Sequence, residues 1–263
     1  MSTIEVDGFL GEQAEEFRLN IIAEHSELFE LSKDINKLMM AFMRRQQIGD
    51  GFDSKLVVFI LLCRIVESAQ CIHVLLERGF MPPAKVLTRA MLESYFILVA
   101  LQKKPGLLEF YFNQHQEGRK KALKAACQFK SKELKASAKK HDLEGKYVEQ
   151  KKALAGKELR VLSPKEWAVK AEMEDFYNLQ YVSYSNSTHS NLSALDDHFD
   201  SDENSTDLAF GPSDNGLYDC LKCCMALVAN AGQLTAQAYG DDISSELAIF
   251  KGRLKLIEKN YQD

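Results

Sequence analysis

The chain has 263 residues, of which 46% are hydrophobic and 27% are charged, and its formal net charge is −5. This is the composition of an ordinary globular protein with a substantial core, and the length allows one large domain or two small ones. The negative net charge argues against a protein that binds polyanions through its whole surface.

The N-terminal residues lack a basic stretch followed by an apolar run, so no secretory signal is expected. The longest apolar run, Leu56 to Cys63, is far shorter than the roughly 20 residues of a membrane span, so we predict no membrane partner. The six cysteines are then expected to be reduced thiols, which favours a cytoplasmic location. No metal or other cofactor is expected, since no phosphate-binding loop or dinucleotide fingerprint is present.

Helical periodicity runs through almost the whole sequence, and Gly (14) and Pro (5) are scarce. Because proline breaks helices and glycine weakens them, this composition favours long helices. We therefore predict an all-α fold, with residues 1–263 forming a single-domain bundle of about seven to nine helices.

Residues 1–50 are predicted to contain one long amphipathic helix, from about Glu12 to Arg45, ahead of a bundle core at about 53–261. The segment Gly49-Asp50-Gly51 ends this helix. An amphipathic helix of this length could pair with a second copy, so a homodimer is a possible assembly.

A second helix is predicted from about Asp53 to Arg78, with Asp53 or Ser54 as N-cap and Gly79 as stop signal. Its centre is apolar on all sides, which indicates a helix central to the core. A turn at residues 81–83 then leads to a third helix at about 84–102, so the two should form an antiparallel hairpin.

A fourth helix is expected at about 107–128, followed by a Lys-rich segment, 131–156, with few large apolar residues. We predict an exposed helical arm or a mobile insertion there. Between Glu117 and Lys152 there are twelve Lys/Arg and five Asp/Glu, a local net charge of +7. RNA or another anionic ligand could therefore bind through 117–152, although a merely solvated charged helix is the alternative.

The segment Ser163-Pro164-Lys165-Glu166 combines an N-cap serine, a proline at the first helical position and a glutamate at the third. We predict a helix from there to about Ser190, with a possible break near Lys170. The acidic segment 193–215 is predicted to be a long loop, and two further helices follow at about 215–239 and 244–261.

The most informative polar pattern is Tyr181, Ser185 and His189, spaced at i, i+4 and i+8. In a helix these residues share one face. His189 could act as general acid or base, with Tyr181 orienting it, and Tyr184 lies beside this face. The alternative is a buried polar network that fixes the register of the helix.

The third predicted helix carries Arg89 and Glu93, one turn apart among apolar residues. A charged pair in such surroundings needs partners, and Arg89 could bind a phosphate or carboxylate through two hydrogen bonds. An ordinary surface pair is the alternative. Arg64 and Glu67 form a similar but weaker pattern of paired charges in the second predicted helix.

Two further groups of possible ligands have simpler interpretations. Cys220, Cys223 and Cys224 form half a zinc motif inside an apolar helix, so small buried thiols are favoured. The run Asp196-Asp197-His198 could bind a metal beside His189, but an acidic loop is favoured.

The order of these motifs resembles the bacterial domain-of-unknown-function family numbered 5677. The resemblance covers roughly 53–210 and rests on three elements: Arg-x-x-x-Glu (Arg89, Glu93), Lys-x-Trp (Lys165, Trp167) and Tyr-x-x-x-Ser-x-x-x-His (Tyr181, Ser185, His189). It implies an α-helical domain and brings no established activity with it.

By broader analogy the arrangement is similar to the HEPN superfamily, helical bundles of toxins and antiviral systems that include many metal-independent ribonucleases. Their signature is Arg-x(4–6)-His on one helix, and here only Arg18 and His25 have that spacing, with six residues between them. Neither residue belongs to the motifs described above. A nuclease interpretation that uses those motifs therefore requires Arg89 and His189 to meet from separate helices.

Three functional hypotheses stay open. The first is a metal-independent endoribonuclease or toxin-type effector in phage defence or stress response, with the catalytic set Arg89, Glu93, Tyr181, Ser185 and His189 and the ligand-binding set Arg64, Lys165 and Tyr184. The second is a non-catalytic sensor or binding module for an anionic ligand or nucleotide. The third is a structural helical protein that acts through a partner.

Overall fold

The computed structural model describes residues 3–49, 51–156, 159–186, 199–202, 205–208 and 210–261. Helices account for nearly all of the regular structure in these ranges, which confirms the predicted all-α class and the single helical domain. The chain is divided into more helices than the seven to nine expected, because several predicted helices are interrupted by residues with non-helical backbone angles.

The helices are labelled in chain order, and two 3-10 turns, Gly8–Leu10 and Pro105–Leu107, lie between them. They are α1 (Ile4–Asp7), α2 (Glu12–Glu24), α3 (Ser26–Arg45), α4 (Ser54–Glu77), α5 (Met81–Lys103), α6 (Leu108–Ala126), α7 (Lys132–Lys140), α8 (Leu143–Ala153), α9 (Pro164–Lys170), α10 (Glu174–Phe176), α11 (Val182–Asn186), α12 (Leu217–Tyr239) and α13 (Ser244–Asn260). A π-helical segment, Tyr177–Tyr181, joins α10 to α11 directly.

The prediction of one unbroken N-terminal helix is wrong, because α2 and α3 meet at His25. The backbone of His25 is not helical (φ −104°, ψ 28°). Its N–H donates to the Ile21 carbonyl of α2, while its own carbonyl accepts from the N–H groups of Leu28 and Phe29 in α3. Helix α2 therefore ends, and α3 begins, at this residue. The core also begins earlier than residue 53, because α3 buries seven side chains.

The centre of the bundle is the antiparallel hairpin of α4 and α5, which packs against α12 and α3. Asp53 is the N-cap of α4, since its carboxylate accepts from the Leu56 N–H at 2.9 Å. Helix α4 is long and apolar enough to span a membrane by length and composition, yet 44% of its apolar window is buried in the bundle. It is not enclosed on every side, because Ile60 and Val74 stay about half exposed.

Gly79 makes the tight link between α4 and α5 possible. Its φ of +71° lies in the left-handed region, which favours glycine. A Cβ atom there would lie 2.7 Å from the Ser213 nitrogen and 2.8 Å from the Pro212 Cβ. Helix α5 starts at Met81 rather than Ala84, because prolines are tolerated in a first helical turn.

The Lys-rich region folds as two helices, α7 and α8, neither of which buries a residue. Helix α8 packs against α6, and the amide of Gln150 donates to Gln116 at 2.6 Å. Helix α6 itself buries only Ala126. The three helices therefore form a projection with almost no core of its own.

The segment after this projection begins with the predicted capping box, in which the Glu166 N–H donates to Ser163 Oγ and the Ser163 N–H donates to Glu166. Helix α9 then ends at Lys170, and Glu172 has a positive φ of 62°. The region 193–215 is not wholly a loop, because β1 (Phe199–Asp202) pairs antiparallel with β2 (Ser205–Leu208).

We predict that Leu62→Ala lowers the free energy of unfolding by about 2–5 kcal/mol, since it empties space in a closed core. Leu62 is fully buried on α4. The matched control is Ile60→Ala on the same helix, where the side chain is 49% exposed and the expected change is below about 1 kcal/mol. Urea unfolding followed by circular dichroism measures both. Equal losses would contradict the assigned orientation of α4.

Candidate functional site

Four polar side chains meet between α5 and the helical segment that includes α11. Arg89 and Glu93 stand one turn apart on α5, and Tyr181 and Ser185 stand one turn apart across the π-to-α junction. We call these four residues the Arg89 cluster. Two motifs about ninety residues apart in the sequence thus form one site.

Arg89 is the centre of this cluster. Its Nη2 donates to Tyr181 Oη at 2.6 Å, and its Nε donates to Ser185 Oγ at 3.1 Å. Nη2 also lies 3.1 Å from Glu93 Oε1. The Tyr181 hydroxyl in turn donates to Glu93 Oε1 at 2.8 Å. Arg89 and Glu93 are therefore partners of each other, and each also has a hydrogen bond to the neutral Tyr181 hydroxyl. A half-buried ion pair requires such partners.

Aromatic packing holds the Tyr181 ring in place. The Tyr177 ring is stacked on it, with centroids 4.7 Å apart and planes inclined by 17°. Phe96 of α5 lies 6.3 Å away on the bundle side. Tyr177 and Tyr181 are the two ends of the π-helical segment, and single π-turns of this kind are often found at functional sites.

Tyr181 acts as a neutral donor in this environment. Burial, together with the hydrogen bond to Glu93, raises the pKa of Tyr181 to about 12. The phenol therefore stays protonated throughout the physiological pH range, and it orients Glu93 rather than acting as a base.

Arg89 keeps hydrogen-bonding capacity after these contacts. A guanidinium has five N–H donors, and within the described part of the chain no hydrogen bond leaves Nη1. The Arg89 side chain is 23% exposed and that of Glu93 is 35% exposed. The cluster can thus offer a preorganised cationic donor pair to an anion at its open edge.

The other predicted site residues lie in different surroundings. Arg64 is exposed on α4, and Lys165 pairs with Glu174 at 3.5 Å. Tyr184 is buried, and its pKa is raised by burial beside Cys223, to which its hydroxyl is hydrogen-bonded. His189 lies outside the described residues, as do Asp196, Asp197 and His198.

Sequence reasoning missed Tyr177, although a signal for it was present. Tyr177 precedes Tyr181 by four residues, so it continues the Tyr181, Ser185, His189 series backwards. Trp167 of the Lys-x-Trp element is a core residue, since it is 1% exposed and its Nε1 donates to Gln114 at 3.2 Å.

Two of the three α12 thiols match the prediction of buried cysteines, because Cys220 and Cys224 are buried while Cys223 is half-buried. Burial raises the pKa of Cys223 to about 12 and that of Cys224 well above its usual value. Elsewhere, ligand atoms of Glu24, His25 and Asp214 lie within 4.8 Å of one another. The two carboxylates are exposed, and such groups often cluster without a cation.

The fold and the Arg89 cluster define a class: an all-α domain with an arginine-centred polar site between two of its helices. The chain belongs to the family of unknown function DUF5677, whose model matches residues 55–206. That range includes both halves of the Arg89 cluster. No curated protein matches the chain, and no solved structure matches it.

We predict that Arg89→Ala destabilises the fold by about 1–3 kcal/mol, because it leaves Glu93 and Tyr181 partly buried without their cationic partner. Arg89→Lys should recover only part of the loss, since an ammonium cannot reproduce the planar donor set. Arg64→Ala, at an exposed position of α4, is the control. Denaturant unfolding of the three variants measures the effect, and equal stability of Arg89→Ala and Arg64→Ala would show that the cluster contributes nothing to the fold.

Proposed function

We propose that this protein binds RNA through the cationic arm, defined as residues 117–152 of α6, α7 and α8. The supporting observation is the state of its twelve Lys and Arg residues. Eleven are exposed and Lys120 is half-buried. Lys120 pairs with Glu117, and it is the one arm cation with an ion pair to a described residue. The net charge of +7 is therefore not neutralised locally.

Unpaired charge of this density favours a polyanionic partner. Like charges on neighbouring helices repel each other, and α7 and α8 bury no residue that would offset this cost. A nucleic acid supplies a row of phosphates, and the release of its condensed counterions drives binding. RNA is chosen over other polyanions because of the resemblance to HEPN domains.

We predict that Lys132→Gln/Lys135→Gln/Lys139→Gln weakens binding of a 20-nucleotide single-stranded RNA about tenfold or more at low salt. The slope of log K against log salt should fall by about 2, since single strands release about 0.7 counterions per phosphate contact. Fluorescence anisotropy over a salt series measures both quantities, and single-stranded DNA of the same sequence tests the choice of RNA.

The matched control is Lys251→Gln/Lys255→Gln/Lys259→Gln, which removes three exposed lysines from α13. The net charge changes equally in the two triple variants. If both weaken binding to the same extent, the effect comes from net charge and the arm is not the binding surface.

A second candidate function is RNA cleavage at the Arg89 cluster, favoured by the convergence of Arg89, Glu93, Tyr181 and Ser185. Arg89 would stabilise the charge that develops on a phosphate, and His189 would take the proton of a ribose 2′-hydroxyl. Such an enzyme would fit the expected role in phage defence or stress response. The homodimer and the cytoplasmic location also stay predictions.

An assay of RNA cleavage by the wild type, Arg89→Ala and His189→Ala separates the two functions. If the protein is a nuclease, each variant should lose activity by about 100-fold or more, since these groups would stabilise charge or transfer the proton. Arg44→Ala, at an exposed position of α3, should keep full activity. Equal cleavage by wild type, Arg89→Ala and His189→Ala removes the nuclease function, and RNA binding without cleavage leaves the binding function alone.

A further inference from the structure

A second polar network lies between α3 and α4 and uses no residue of the Arg89 cluster or the cationic arm. Ser32 Oγ lies 2.9 Å from His73 Nδ1, and His73 Nε2 lies 3.1 Å from Glu77 Oε1. Ser32 is 8% exposed. The side chains of His73 and Glu77 are 13% and 16% exposed. A hydroxyl, an imidazole and a carboxylate thus form one continuous chain.

The hydrogen bonds define the direction of proton transfer in this chain. A carboxylate only accepts hydrogen bonds, so the proton of a neutral His73 ring belongs on Nε2, which donates to Glu77. Nδ1 then has a free lone pair, which accepts the Ser32 hydroxyl. Burial lowers the pKa of His73, which keeps the ring neutral and able to act as a base.

The surrounding residues hold this geometry. Phe29 meets the His73 ring edge to face, with centroids 5.2 Å apart and planes inclined by 79°. The Arg18 guanidinium lies 3.7 Å from Glu77 Oε2. The base is therefore oriented by a third group that is itself paired, which is the arrangement of activated serine nucleophiles.

An open cavity of about 200 Å³ adjoins Ser32 and His73, and most of its lining is apolar, with Val66 and Val228 among the contributing residues. Asn36, one turn after Ser32 on α3, also lines it. The Asn36 Oδ1 accepts from Gln70 at 2.9 Å, which leaves the Asn36 Nδ2 group as a donor. An amide donor beside a nucleophile can stabilise an oxyanion.

We propose that Ser32, His73 and Glu77 form a hydrolytic site for a carboxylic ester with a short apolar acyl group. Ser32 and His73 are the catalytic residues, and Glu77 is a positioning residue. The cavity takes the acyl group, and the Asn36 amide faces the oxygen that becomes negative.

The reaction balances with the ester and water as the only reactants. Ser32 Oγ attacks the carbonyl carbon while His73 Nδ1 takes the hydroxyl proton, and a new Oγ–C bond forms. The bond from that carbon to the alcohol oxygen then breaks, and the proton on Nδ1 passes to the departing alkoxide. Water then gives a proton to His73 Nδ1 and attacks the acyl carbon, the Oγ–C bond breaks, and the acid is released. The proton on Nδ1 returns to Ser32 Oγ.

A fluorophosphonate probe tests this proposal on the full chain. Attack by Ser32 forms an Oγ–P bond and expels fluoride, while His73 takes the proton. The expected result is one adduct by intact-mass spectrometry, mapped to Ser32, together with hydrolysis of p-nitrophenyl butyrate. Both signals should fall to background in Ser32→Ala. An unlabelled wild type, or an adduct on another serine, overturns the proposal.

The control is Ser68→Ala on α4, where the hydroxyl donates to the Arg64 carbonyl of its own helix at 2.8 Å. Labelling should be unchanged in this variant. Glu77→Gln should slow labelling about tenfold or more, because the ring loses its anionic partner. The midpoint of the pH dependence should also move to lower pH, since His73 then faces one fewer acidic group beside Glu30 and Lys33. An unaltered rate and midpoint in Glu77→Gln would overturn the role of Glu77.

Discussion

The structure depends on the enclosure of α5, which buries twelve of its side chains against α4, α9, α11 and α12. A helix surrounded to this extent cannot carry a charged residue without partners, because the cost of desolvation is several kcal/mol. Arg89 is therefore paired with Glu93 of its own helix, and it donates hydrogen bonds to Tyr181 and Ser185 of the segment that covers α5. The packing of α5 at this site therefore depends on the polar pairing of Arg89, and the pairing depends on the packing.

The two polar networks differ from the cationic arm in how far packing holds their side chains. Each network lies at an interface between helices, where side chains are packed on both sides: one is the Arg89 cluster, and the other is the chain of Ser32, His73 and Glu77. The arm has no such support, because α7 and α8 bury nothing. Side chains held at a packed helix interface suit precise contacts with a small chemical group of a ligand. An exposed charged surface suits the sequence-independent attraction of a polymer.

Local signals in the sequence were reliable where neighbouring residues decide the structure. The N-cap at Asp53 and the capping box at Ser163 are both present, because each depends on side chains within four positions. The break at His25 was not foreseen, since it accompanies a contact with Tyr261 at the other end of the chain. The β1–β2 hairpin was missed although it pairs residues that are close in sequence, because its strands are rich in aspartate, which is depleted in strands.

By itself the sequence determined the all-α class, the Arg89–Glu93 pair, the shared face of Tyr181 and Ser185, and the charge of the arm. These features follow from helical periodicity and composition, which are properties of short stretches of chain. Only the tertiary structure decided that Arg89 meets Tyr181, and that Ser32 meets His73 across forty-one residues. The reason is physical: such contacts depend on how whole helices pack, and no local pattern specifies which faces will meet.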